Sequence, residues 1–216
     1  MKIIALVTQK GGAGKSTLAS SLAVAAHESG ERVCLIDLDP QATLTTWGRT
    51  RGETDILVVP SSAAKLPAVL AALANRSVTL ALIDTPGAEG AAAQAAMSAA
   101  QLCLIPSRPT AFDLWASENT RKALKEAKGD YVFVLNQCPP AQQSARIDEG
   151  VAALEAMGGL LSPLVHARVD YQEAARLGWG VTELNPAGAA ANEMRGLWAS
   201  LKKRIAKAAK PARKAA

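Results

Sequence analysis

Residues 10–17 read KGGAGKST, directly after the apolar run Ile3-Ile4-Ala5-Leu6-Val7 and directly before an alanine-rich helical stretch. A strand, a glycine loop and a helix start therefore follow one another without interruption, which is the context a phosphate-binding loop requires. Gly11, Gly12 and Gly14, with Ala13 between them, let the backbone turn so that successive N–H groups converge on one set of oxygen atoms. The helix that begins near Gly14 adds its open N–H groups and the positive end of its dipole. Lys15 supplies a point charge between the outer phosphates. Ser16 offers a hydroxyl to Mg²⁺, and Thr17 can reach the innermost phosphate. One departure stands out. The strict loop opens with glycine six residues before its lysine, and here that place is Gln9, followed by an extra lysine, Lys10.

Two further apolar runs end in carboxylates. Val33-Cys34-Leu35-Ile36 leads into Asp37 and Asp39, and Leu80 to Ile83 leads into Asp84. Short, fully apolar runs of this kind are expected of parallel strands covered on both faces. Their carboxyl ends are where open α/β sheets bind ligands. A charge at a buried strand end needs a cation or a donor nearby. Aspartate is also a preferred helix or turn cap, and for Asp37 and Asp84 that reading stays open at this point.

The three motifs, in this order and at these separations, resemble the ParA/MinD family of ATPases with a deviant Walker A loop. Lys10-Gly-Gly-x-Gly-Lys-Ser is similar to that loop, RVCLIDLD followed by Pro40-Gln41 to the second-strand DxDPQ element, and LALIDTPG to the Walker B strand and its switch. The resemblance implies ATP and Mg²⁺ as cofactors and Asp39 as the group that orients the attacking water. It places Asp37 near the metal and Asp84 in the metal's shell together with Ser16. It also implies an ATP-dependent homodimer in which Lys10 crosses to the partner's phosphates, much as an arginine finger does. A small adaptor or centromere-binding protein would stimulate hydrolysis. Asn136, after the run Val132 to Leu135, resembles the position that hydrogen-bonds adenine; an ordinary turn residue is the competing reading. Ile105 to Thr110, leading into Phe112-Asp113-Leu114, looks like the loop that adjoins the dimer and partner surfaces.

Alternating runs predict strands near 2–8, 32–37, 55–59, 78–84, 101–105, 131–135 and 160–165. Helices are expected near 15–29, 62–75, 90–99, 113–128, 142–157 and 187–208. The fold class is α/β: a doubly wound, mostly parallel sheet flanked by helices, Rossmann-like, of the P-loop nucleoside triphosphatase type. Residues 1–208 form one such domain, and 209–216 are expected to be a basic, disordered tail. No run approaches 18 uninterrupted apolar residues and no signal segment precedes the first strand, so a cytoplasmic protein is expected, and the ParA-type resemblance implies that it is nucleoid-associated. Cys34, Cys103 and Cys138 form no CxxC pair, which argues against an iron–sulfur scaffold or a redox motif.

The chain carries a net charge of +5, and the basicity is local: residues 192–216 hold eight Lys/Arg against one acid. Met194, Leu197, Trp198, Leu201 and Ile205 recur at helical spacing as one apolar stripe, expected to dock on the sheet. Three readings of the charges remain. Nonspecific DNA contact needs only clustered cations, and Lys202, Lys203, Arg204 and Lys207 supply them; Arg168 and Arg176 resemble positions on the family's DNA-facing surface. A membrane-bound helix of the MinD kind needs bulky apolar residues at its free end, and residues 206–216 offer almost only alanine, so a membrane is the less favoured partner. Plain solubility is the third.

Overall fold

All strand pairings of the sheet are parallel, so each strand is joined to the next by a crossover. The computed structural model describes residues 1–52, 55–140 and 144–208. Its strands are β1 (Lys2–Leu6), β2 (Val33–Asp37), β3 (Leu57–Pro60), β4 (Leu80–Asp84), β5 (Leu102–Ser107) and β6 (Tyr131–Leu135), in the order β3-β2-β4-β1-β5-β6. The helices are α1 (Lys15–Glu28), α2 (Thr43–Arg51), α3 (Leu66–Ala74), α4 (Ala91–Ala99), α5 (Ala111–Glu126), α6 (Ala145–Met157), α7 (Val169–Arg176), α8 (Val181–Leu184) and α9 (Ala189–Ala208).

Alternate residues of each strand serve opposite faces. From β1, Ile4 and Leu6 join a core with α1, α2, α7 and α9, while Ala5, with Val7 just after the strand, joins a second core with α3, α4, α5 and α6. The expected α/β class therefore holds, with a sheet of six strands. Met194, Leu197, Trp198, Leu201 and Ile205 are all buried, so the apolar stripe of α9 is core. No described helix is long and apolar enough to cross a membrane.

The segment 160–165, expected as a strand, departs from that expectation. Leu161 and Val165 donate backbone hydrogen bonds to Phe133 and Leu135 of β6, but Leu160 makes only an isolated bridge. Pro163 lies between the two donors and has no N–H to continue a ladder. Three helices were not expected: α2, α7 and α8. The sequence of α2, TLTTWGRTR, is poor in strong helix formers. What holds it is distant in kind from propensity: the Asp37 carboxylate accepts from the Thr45 backbone N–H and hydroxyl, both at 2.8 Å, and so satisfies the helix start from the end of β2. Residues 209–216, and 141–143 at the start of the helix expected from 142, lie outside the described residues.

The far end of α2 is fixed by Arg51. Its side chain, 4% exposed, bonds Asp55, Glu183 and the Gly178 carbonyl, and lies 5.5 Å from the Trp47 ring. Replacing Arg51 with Ala leaves two partly buried carboxylates without their cation and should cost about 3 kcal/mol. Equilibrium urea unfolding of the purified variant would measure this.

Candidate functional site

Register sets the site. β4 pairs with both β1 and β2 so that Leu6 faces Asp84 and Asp84 faces Asp37, which brings both carboxylates to the sheet's carboxyl edge beside the glycine loop. Gly12 and Gly14 take φ of 79° and 85°, and no side chain caps α1, so its first-turn N–H groups remain open toward the loop. Lys15, the first residue of α1, is 6% exposed. Burial lowers its pKa, and the negative charges of Asp84 and Asp39 offset part of that effect.

Around this edge the polar groups hold one another. Ser16 Oγ donates to Asp84 Oδ2 at 2.6 Å, whereas Asp84 Oδ1 is buried without a hydrogen-bond partner among the described residues. Burial pushes the Asp84 carboxyl up to about 7, against the opposing pull of the Ser16 hydrogen bond and of Lys15. A buried, unpartnered carboxylate oxygen beside a serine hydroxyl is a donor set that fits a small divalent cation completed by phosphate oxygens. Among the described residues no group of three or more His, Cys, Asp or Glu could hold a metal by itself.

Asp37 stands beside Asp84 in the register and has a structural task of its own. Its Oδ1 accepts from the Asp39 N–H at 3.1 Å and its Oδ2 from Thr45, so both oxygens are engaged in holding the β2–α2 turn. Asp39 is half-buried, with one oxygen accepting from Gln41 N–H at 2.9 Å. Asn136 donates from Nδ2 to the Ala13 carbonyl at 2.8 Å, and Gln137 donates to Gly12 O at 3.0 Å. One of the two Nδ2 hydrogens of Asn136 is thus spent on the loop. Asn136, Gly14, Thr17, Leu18, Arg168 and Tyr171 are among the residues that line a cavity of about 560 Å³ beside it.

Sequence reasoning missed the Gly87 contact. A Cβ at Gly87 would stand 2.7 Å from Gly11 Cα, so the turn after β4 packs backbone to backbone on the loop and only glycine fits. Lys10 was read as a residue projecting to another chain; here its ammonium meets Asp113 Oδ2 at 2.7 Å and lies 5.6 Å from the Phe112 ring. Phe112 and Trp115 are 69% and 64% exposed and stack edge to face. The apolar and charged neighbours of Lys10 sit about a hundred residues downstream, so no local signal reveals them.

The expected DNA-facing cations fall into two groups. Arg168 caps the start of α7 and Arg176 ends it, both near the glycine loop; Arg168 is paired with Glu193 and Arg176 with Glu173. Lys202, Lys203, Arg204 and Lys207 belong to the last turns of α9, where Trp198 bonds Ser29 at the end of α1 and Arg204 pairs with Asp130 just before β6. That is the amino edge of the sheet, so the two groups are not brought together.

Comparison with known proteins follows this geometry. A family model described as an AAA domain matches residues 1–153. The chromosome partitioning protein ParA of Caulobacter vibrioides is 33% identical over 158 residues, which cover 71% of this chain and 53% of that protein. The chain therefore spans about half the length of this relative. The maintenance of carboxysome distribution protein A of Halothiobacillus neapolitanus is 29% identical over 198 residues, 87% of this chain and 90% of that one. Among solved structures, the apo McdA of Cyanthece superposes with a TM-score of 0.80 at 18% identity, covering 95% of this chain and 99% of that chain.

The Asp84 environment gives a signed pH dependence. A carboxyl raised to about 7 in the fold holds its proton more tightly there than in the unfolded chain, where it titrates near 4. Its ionisation therefore costs stability progressively as pH rises between these values and by a constant amount above them. The melting-temperature advantage of Asp84→Asn over the nucleotide-free wild type should therefore grow by on the order of 5 °C between pH 5 and pH 8, as read by calorimetry.

Proposed function

Since the chain belongs to the ParA/MinD family of P-loop ATPases, we propose that it is an ATP-driven positioning switch. ATP closes two copies into a dimer, the dimer holds nonspecific DNA, and an adaptor stimulates slow hydrolysis that releases it. The cargo is a plasmid, a chromosome or another large cellular body. The nucleoid within the cytoplasm is the matrix. The observation that carries the reading is the buried Lys15 at a glycine loop whose serine is tied to the Walker-type Asp84.

In this reading Gly11 to Thr17 bind the triphosphate through backbone N–H groups and Lys15. Mg²⁺, when bound, supplies charge neutralisation at the phosphates, and Ser16 and Asp84 would hold it. Asp37 acts beside that metal by fixing the turn that carries Asp39. Asp39 orients the attacking water. Asn136 walls the nucleoside cavity and keeps its carbonyl oxygen for a base amine. Lys10 reaches the partner's phosphates. The relative from Halothiobacillus aligns over nearly its whole length, which favours the positioning of a cellular body among the cargo classes.

Two experiments test this. Asp39→Ala and Lys10→Ala should each lower ATP turnover about 100-fold, in the range of a lost general base or charge stabiliser, with nucleotide binding by the single chain kept. Phosphate release and fluorescent-nucleotide titration separate the two quantities; undiminished turnover in either variant contradicts its role. For the matrix, Lys202, Lys203 and Lys207 should be changed together to Ala and DNA affinity measured with ATP across salt concentrations. Affinity should fall and the salt slope should drop by about 3, one for each lost phosphate contact. Binding to anionic liposomes in place of DNA would instead support the MinD-like alternative, for which α9 offers little because its bulky apolar side chains are in the core.

A further inference from the structure

Lys10 shares its carboxylate. Asp113, the third residue of α5, is 2% exposed and has two cations on it: Lys10 Nζ at 2.7 Å from Oδ2 and Arg108 Nε at 2.9 Å from Oδ1. Thr110, the cap of α5, donates its hydroxyl to Oδ2 at 2.5 Å. Burial alone would raise the Asp113 pKa, but the bonds from Arg108, Lys10 and Thr110 hold it below the usual carboxylate range. The residue is therefore a buried anion, and a buried anion stripped of its last cation is strongly unfavourable.

This arrangement limits when Lys10 can leave. With Arg108 in place, departure of Lys10 still leaves Asp113 one bonded guanidinium, a hydroxyl and the positive end of α5. Without Arg108, Lys10 becomes the only cation among these contacts and is retained. Arg108 also lies against the phosphate loop, since a Cβ at Gly12 would stand 4.0 Å from Arg108 Nη1. Both cations are about 30% exposed, so either can move without unpacking the core.

We propose that Arg108 is a positioning residue that makes Lys10 exchangeable: it keeps Asp113 paired while Lys10 moves from its own chain to a phosphate. The inference rests on the assignment of Lys10 to the phosphates, and Arg108 acts through Asp113, without touching the nucleotide.

The test reads Lys10 directly and turnover separately. Competitive acetylation of the nucleotide-free protein with acetic anhydride, followed by mass spectrometry, gives the labelling rate of Lys10 relative to the exposed Lys65. Arg108→Ala and Arg108→Gln should both slow Lys10 labelling severalfold, Asp113→Asn should speed it, and Arg108→Ala combined with Asp113→Asn should return it at least to the wild-type rate. ATP turnover should follow the same order: about tenfold lower in Arg108→Ala, as expected for coupled charged neighbours, and recovered in the double variant. A merely structural Arg108 would make the double variant worse than the single one. Lys10 labelling in Arg108→Ala as fast as in the wild type overturns the proposal, and so does failure of Asp113→Asn to restore it. If labelling moves as described while the wild type hydrolyses no ATP, the exchange stands and the ATPase reading falls.

Discussion

Two neighbouring strands end in carboxylates that parallel register sets side by side, and the carboxyl edge of the sheet is organised around keeping both compatible with burial. Asp37 is neutralised in effect by donors of the following turn and of α2. Asp84 receives one hydroxyl and keeps one oxygen unpartnered, with the Lys15 charge close by. The two solutions differ because their neighbours differ. Asp37 has a helix start within reach, whereas Asp84 faces the loop. One acid therefore builds structure while the other retains capacity for a ligand, although both occupy the same position at the end of the same kind of strand.

A second consequence concerns Lys15. Lys15 is buried deeply and makes no salt bridge among the described residues, which is costly, and the open N–H groups of α1 beside it add positive potential. The glycine loop thus concentrates partial and full positive charge toward one point, with Asp84 and Asp39 near Lys15. A polyanion entering from the cavity side meets preorganised donors and needs little rearrangement of the backbone.

The glycine loop, its lysine and the two strand-end acids were legible in the sequence because the constraint is local: residue types and spacing within one strand–loop–helix unit suffice. So were the six strands, since each contains a short apolar run, whereas the expected strand at 160–165 is interrupted by Pro163. What was not legible depends on partners far along the chain. Helix α2 exists because Asp37 caps it from another element, and its own residues argue against it. The resting partner of Lys10 is 103 residues away. The placement of the expected DNA-facing cations was not legible either: Arg168 pairs with Glu193 near the start of α9 and Arg204 with Asp130 just before β6, at opposite edges of the sheet, because α9 runs from one edge to the other. Asn136 was seen as a base reader, and its geometry shows that the same amide first has to hold the loop together.

The contact between Gly87 and Gly11 has a mechanical meaning. Side chains that touch can change rotamer and absorb a displacement, but two backbones in contact have no such slack. The turn behind Asp84 and the glycine loop are thus coupled as a stiff transmission rather than through a compliant cushion. Any shift of one by a fraction of an ångström must be passed to the other, and from Gly87 it runs directly into α4, on the face of the sheet opposite α1.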